Sequence, residues 1–187
     1  MRPTVVDNGD GTVNVLGHPI WSVGVFYGHG SPPEGDRFSR EDLEKLAADM
    51  RELEDELDPR LYAGHPLHPI LKFMARPKGK LRNFRCEGSY LLADFIGVPK
   101  AFWQQISQDQ ARFSPDMMVG YTSKRTGKRY PWAITGLGAL GAVLPANTLL
   151  PAAGQEYHYF AARAYGAQGE RYTPTPRRVE LARRIRL

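Results

Sequence analysis

The sequence predicts one α+β domain, rich in strands and served by few helices, on three observations. Nineteen glycines and fifteen prolines in 187 residues demand many turns and therefore short elements, which does not fit a long helical bundle. Most apolar runs are short or alternate, as strands do, whereas residues 39–57 carry a clear helical period. The length suits a single domain with a real core. The body spans residues 1–155, and residues 156–187 form a basic extension.

In chain order, Asp7-Asn8-Gly9-Asp10-Gly11 signals a turn, after which residues 12–16 alternate as a strand. Residues 20–27 read as a second, more buried strand. A loop over 31–36 is stiffened by Pro32 and Pro33. Ser39 opens the helix, because Ser39 and Asp42 make a capping-box pair with acids in the first turn. Leu43, Leu46, Ala47, Met50, Leu53 and Leu57 recur at spacings of three and four, and Asp58-Pro59 stops the run. The opposite face holds Glu41, Glu44, Lys45, Glu52, Glu54, Asp55 and Glu56 and reads as a solvated surface.

Residues 60–64 form a short strand that runs into His65, with a further apolar strand over 70–75 and a turn at 77–80. Residues 81–87 and 90–96 are paired strands joined at Gly88-Ser89. Pro99 suits the first turn of a second helix, with Phe102, Trp103 and Ile106 on one face. Ser114 sits where that helical pattern gives way to a strand over 117–123, and 124–128 is a basic turn. Residues 131–155 carry no charge, but Gly136, Gly138, Gly141, Pro145, Asn147 and Pro151 interrupt them, so they read as a buried strand-turn-strand and not as a membrane span. Pro174 and Pro176 precede a short basic helix with Val179, Ala182 and Ile185 on one side.

The charge is uneven. Between Tyr159 and Leu187 there are seven arginines against Glu170 and Glu180, so this tail carries the whole formal excess of +5. It could contact nucleic acid or an acidic protein surface, or be a solvated helix face. The N-terminus has no apolar stretch of the secretory kind. A lone cysteine, Cys86, excludes an internal disulfide, fits a reducing compartment and reads as a small packed side chain.

Two residues stand out as a possible nucleophile and base. Ser114 lies in Gln-Ala-Arg-Phe-Ser-Pro-Asp-Met, and a serine hydroxyl is unreactive without a neighbouring base. His65 lies in Tyr-Ala-Gly-His-Pro, between a glycine and a proline that restrict its backbone. His29, His65 and His68 could together offer three imidazoles to zinc, but Pro66 and Pro69 deny the H-x-x-H a helix. No metal or cofactor is expected.

Five stretches in order make the pattern specific: GVFYGHGSPPEGDRFSREDLEKLAADM, LYAGHP, GSYLLADFIGVP, ARFSPDMM and LGALGAVLPA. Over about residues 20–151 the chain resembles the phage prohead (capsid maturation) protease family, in its Mu-like protease and scaffold branch, related to herpesvirus assemblin. The resemblance implies a small β-barrel with surrounding helices, over a protease domain at 1–155. It implies a serine endopeptidase that cleaves scaffold and major capsid protein, and possibly itself, inside the prohead in the host cytoplasm. Ser114 would be the nucleophile and His65 the general base. The herpesvirus relatives add a second histidine on the strand after the serine, but nothing in 131–155 titrates here. Asp94, of the Leu-x-Ala-Asp motif, is the first candidate to orient His65, and Asp116 the second. A dyad without a third member is also open, as is Asp94 acting only as a helix cap. The Gly138 to Gly141 turn is where the resemblance puts an oxyanion hole, with tight core packing as its other reading. The extension at 156–187 would be a linker to a scaffold region or a processed end. The other reading of the whole is a structural capsid-assembly protein that keeps the fold without useful proteolysis.

Overall fold

The computed structural model describes residues 1–27, 31–64, 76–141 and 145–157. Its main helix, α1 (Arg40–Leu57), starts as its sequence requires. The Asp42 N–H donates to Ser39 Oγ (3.1 Å) and the Ser39 N–H to Asp42 Oδ2 (2.8 Å), which satisfies two of the free donors at the helix start. Leu43, Leu46, Ala47, Met50 and Leu53 are buried along one stripe. Each large side chain among them contributes about 1.5–3 kcal/mol by leaving water. Asp58 ends the helix in the left-handed region (φ 42°), and Pro59 has no N–H with which to continue it.

The acidic face of α1 is not merely solvated. Glu56 accepts hydrogen bonds from Tyr121 OH (2.6 Å), Ser123 Oγ (2.6 Å) and the Lys124 N–H (2.7 Å), and Glu52 accepts from Lys128 Nζ and Tyr130 OH. Glu54 accepts from the Asn83 N–H. These carboxylates clasp strands that are distant in sequence, a partnership that no local period reveals.

The strands are β1 (Thr4–Asp7), β2 (Thr12–Ser22), β3 (Gly24–Phe26), β4 (Asp36–Phe38), β5 (Arg60–Ala63), β6 (Gly79–Glu87), β7 (Tyr90–Pro99), β8 (Arg112–Thr122) and β9 (Arg129–Leu140), with a second helix, α2 (Lys100–Gln108), between β7 and β8. Seven strands form one sheet in the order β1-β2-β7-β6-β5-β9-β8, and β3 pairs with β4. Every pair is antiparallel except β5 with β9. A large mixed sheet with two helices is an α+β arrangement.

The expected closed barrel is not formed. β1 and β8 stand at opposite edges of the sheet, and among the described residues no ladder joins β8 to β1 or β2. Register shifts along β2 and β7 bend the sheet until Phe113 of β8 meets His18 of β2, with ring centroids 4.6 Å apart. Phe95 and Trp103 pack around the same histidine. These rings pack together between β2, β7, α2 and β8.

Three boundaries also differ from expectation. β2 is one continuous strand through Gly17-His18-Pro19, and β1 pairs with it although all four β1 residues are exposed and show no alternation. β8 begins at Arg112, so Ser114 and Pro115 lie inside a strand; an edge strand accepts proline because one side needs no ladder N–H. In 131–155 only β9 is a strand among the described residues. The chain at 145–157 is held by side chains instead: buried Asn147 donates to Ser22 Oγ (2.9 Å), and Arg112 donates to the Thr148 and Leu150 carbonyls. The strand expected at 70–75 and the helix expected in the tail lie outside the described residues.

Candidate functional site

Ser114 is set by the way β8 begins. Gln110 takes a positive φ of 50°, which turns the chain out of α2, and the Ala111 N–H then donates to the Ile106 carbonyl (2.8 Å). The chain then enters β8. Phe113 points inward, fully buried, and Ser114 points outward, half-buried. Its register partner on β9 is Gly138, and Gly138 in turn is the partner of Tyr62 on β5. Two residues along, Asp116 pairs with Gly136, and Gly136 pairs with Arg60. Directly opposed residues share a face, so the outer face of β5-β9-β8 carries Arg60 and Tyr62 on one strand, two glycines on the next, and Ser114 and Asp116 on the third.

β5 ends across β9 from the serine. The Gly64 N–H donates to the Ala139 carbonyl (2.8 Å), and Ala139 is the register partner of Phe113. The residue preceding His65 is therefore tied one strand away from the residue preceding Ser114. His65 itself lies outside the described residues, as do His29 and His68.

A bulge follows the serine. Asp116 faces Gly136, whereas Met117 faces Ile134, so Thr135 is an extra residue on β9. Thr135 Oγ1 donates to the Asp116 carbonyl (3.3 Å). Above Gly136 the space is shared: a Cβ there would stand 3.3 Å from Asp116 Oδ2 and 3.4 Å from Tyr62 Cε2. Neither Tyr62 nor Gly136 stood out in the sequence, although two glycines at a spacing of two, once placed on a strand, fall on one face.

The other carboxylate candidate is engaged elsewhere. Asp94 is buried in β7; its Oδ1 accepts from the Gly17 N–H (2.8 Å) and Arg85 Nη1 (2.9 Å), and its Oδ2 from Asn83 Nδ2 (2.8 Å). It ties β2, β6 and β7 together. It does not cap α2, whose N-cap Pro99 has no side-chain partner. Gly138 lies inside β9, between β5 and β8, where strand N–H groups are directed at ladder partners, and so is not part of a turn. Gly141 is exposed just past the end of β9. Cys86 is half-buried, and burial pushes its thiol pKa up, followed by the charge of Glu44, which argues against a reactive thiolate.

One histidine is well described. His18 is fully buried, with Nδ1 2.9 Å from the Pro19 carbonyl. A carbonyl only accepts, so Nδ1 carries the proton and Nε2 is a bare lone pair without a partner among the described residues. Burial lowers its pKa to about 4. Because it packs on Phe113, it lies on the opposite face of β8 from Ser114 and is not its base. Among the described residues no cluster of three or more metal-ligating side chains occurs.

Comparison of the chain with protein-family models, with curated proteins and with solved structures finds no match in any of the three.

Proposed function

We propose that this chain is a serine endopeptidase of phage prohead maturation, with an assemblin-like body whose sheet is left open, acting on scaffold and major capsid protein. The observation that carries the reading is the β5-β9-β8 adjacency, which ties the root of His65, at Gly64, to the stretch of β9 that pairs with β8 around Ser114. The described residues just before His65 and the stretch around Ser114 thus meet through one shared strand, β9.

In this reading His65 takes the Ser114 proton as the hydroxyl attacks the scissile carbonyl, and returns it to the leaving amine. Such a base contributes ~10²- to 10⁴-fold. Backbone N–H groups near Gly141 receive the oxyanion. Asp116, on the serine's own face, is the better third member than Asp94, whose oxygens already accept three hydrogen bonds. The basic extension then serves as a linker to a scaffold region or as a processed end, with nucleic-acid contact as a further use.

A fluorophosphonate probe tests the chemistry directly. Wild type is expected to gain one adduct, mapped to Ser114 by peptide mass, and Ser114→Ala and His65→Ala to gain none. A folded wild type that takes up no adduct would remove the enzyme reading.

A non-proteolytic assembly role has one observation in its favour. Edge strand β8 exposes Met118 (45%) and Val119 (71%), and an apolar strand edge is a surface on which another chain can pair. That surface also suits self-association of a protease, so the probe decides between the two. No helix among the described residues is long and apolar enough to cross a membrane.

A further inference from the structure

We infer that the outer end of the β8–β9 hairpin docks an extended, acidic segment of a partner protein, which adds as a strand along β8 and sets a carboxylate on Arg129. The inference goes beyond the serine reading and uses neither Ser114 nor His65. β8 is the last strand of its sheet, so the outer row of its main-chain groups has no ladder partner among the described residues. Toward the hairpin tip that edge is apolar, with Met118 and Val119 both exposed. Val119, Gly120, Arg129, Pro131 and Trp132 line a shallow, open depression of about 450 Å³. The Trp132 ring packs on the buried Phe38 ring, with centroids 5.2 Å apart, so this apolar surface is fixed before anything binds.

A cation lies at the same place. Gly120 has a φ of 68°, which favours glycine, and a Cβ there would stand 3.2 Å from Arg129 Nη2 and 3.7 Å from Nε. The guanidinium therefore lies across β8 where no side chain is in its way. Among the described residues the Arg129 side chain makes no hydrogen bond or ion pair, whereas Lys128 beside it is engaged with Glu52. Lys124 and Arg125 add exposed positive charge on the turn. A free guanidinium takes both oxygens of a carboxylate, and the neighbouring apolar surface takes the side chains that flank it. Main-chain hydrogen bonds along the open edge complete a strand addition.

The apolar edge alone would suit a second copy, but charge separates the occupants. Pairing β8 on β8 about Gly120 would bring two Arg129 guanidiniums together, and facing like charges destabilise a ladder. The chain's own extension carries seven arginines against two glutamates, the wrong sign for this site. A nucleic acid would satisfy Arg129 but leave Met118 and Val119 unmatched and the strand edge unpaired. An acidic, extended peptide matches all three features.

The test is selection from a displayed library of random decapeptides, with the full chain as bait in four forms: wild type, Arg129→Gln, Arg129→Glu and Val119→Ser. Both positions are exposed, so the fold should tolerate each change. The basic extension is present in every bait, so any acidic preference that it brings is common to all. Wild type is expected to enrich peptides that alternate apolar residues around an aspartate or glutamate. A selected peptide should slow hydrogen exchange in residues 117–122, and should bind Arg129→Gln roughly 10- to 100-fold more weakly. Arg129→Glu should reverse the preference toward lysine or arginine at the same place, and Val119→Ser should weaken binding without changing its charge preference. No enrichment by a folded wild type, equal selection by wild type and Arg129→Glu, or binding that leaves residues 117–122 unprotected overturns the inference. Protection that rises with the concentration of the chain alone would assign the edge to a second copy instead. Binding of an oligothymidylate that falls in Arg129→Gln while peptide binding does not would assign the arginine to nucleic acid.

Discussion

At the scale of single residues, the structure separates the two aspartates that the resemblance offered to orient His65, Asp94 first and Asp116 second. Asp94 is a structural group, accepting from a backbone N–H, an amide and a guanidinium. Asp94→Ala strands Arg85 and the Gly17 N–H and is expected to cost about 3 kcal/mol in urea unfolding. Asp116→Asn should leave the unfolding midpoint near wild type and slow the chemistry instead. His18 makes a pH-dependent contribution. Its folded-state pKa is lowered from 6.5 to about 4, so between those values the unfolded chain binds the proton more readily. The stability tied to neutral His18 is complete above about pH 6.5 and is lost as the pH falls toward 4, by roughly 3 kcal/mol across the window. His18→Phe should remove that slope when unfolding is compared at pH 4.5 and 7. Ser114 was singled out from its own neighbours, Arg112-Phe113 and Pro115-Asp116. Tyr62 and Gly136 were not, because their relation to Ser114 exists only across two ladders.

At the scale of elements, local signals were read well and distant ones poorly. The capping box, the apolar stripe and the Asp58-Pro59 stop of α1 are all properties of neighbouring residues, and the helix follows them. The role of its acidic face depends on the β8–β9 hairpin, which arrives sixty-odd residues later. The hydrogen bonds from Ser123 and then Tyr121 hold the Glu56 pKa down, at about 2 against an ordinary 4.5. A depressed carboxylate stabilises the fold above its ordinary pKa, so this clasp should be intact at neutral pH and fail as the pH falls from about 4.5 toward 2. Glu56→Gln is expected to speed hydrogen exchange in residues 119–130 at neutral pH while leaving β2 and β7 protected. Equal exchange in variant and wild type would mean that the hairpin does not depend on the clasp.

At the scale of the whole molecule, an α+β domain was readable from glycine and proline content, short apolar runs and one strong helix. The open sheet was not, since closure depends on how far bulged strands bend and on pairings between residues distant in sequence. Charge is divided on the same scale. Removing residues 159–187 leaves a formally neutral body, so retention on a polyanion column at low salt should be lost with the tail. The central claim concerns what the body does to its partners. The most direct measurement is co-expression of the full chain with scaffold and major capsid proteins, the substrates proposed for it, followed by intact mass of all three. Wild type should yield shortened partners, and Ser114→Ala and His65→Ala should leave them at full length. Partners of identical mass with all three chains would contradict the protease account and leave assembly as the role of the fold.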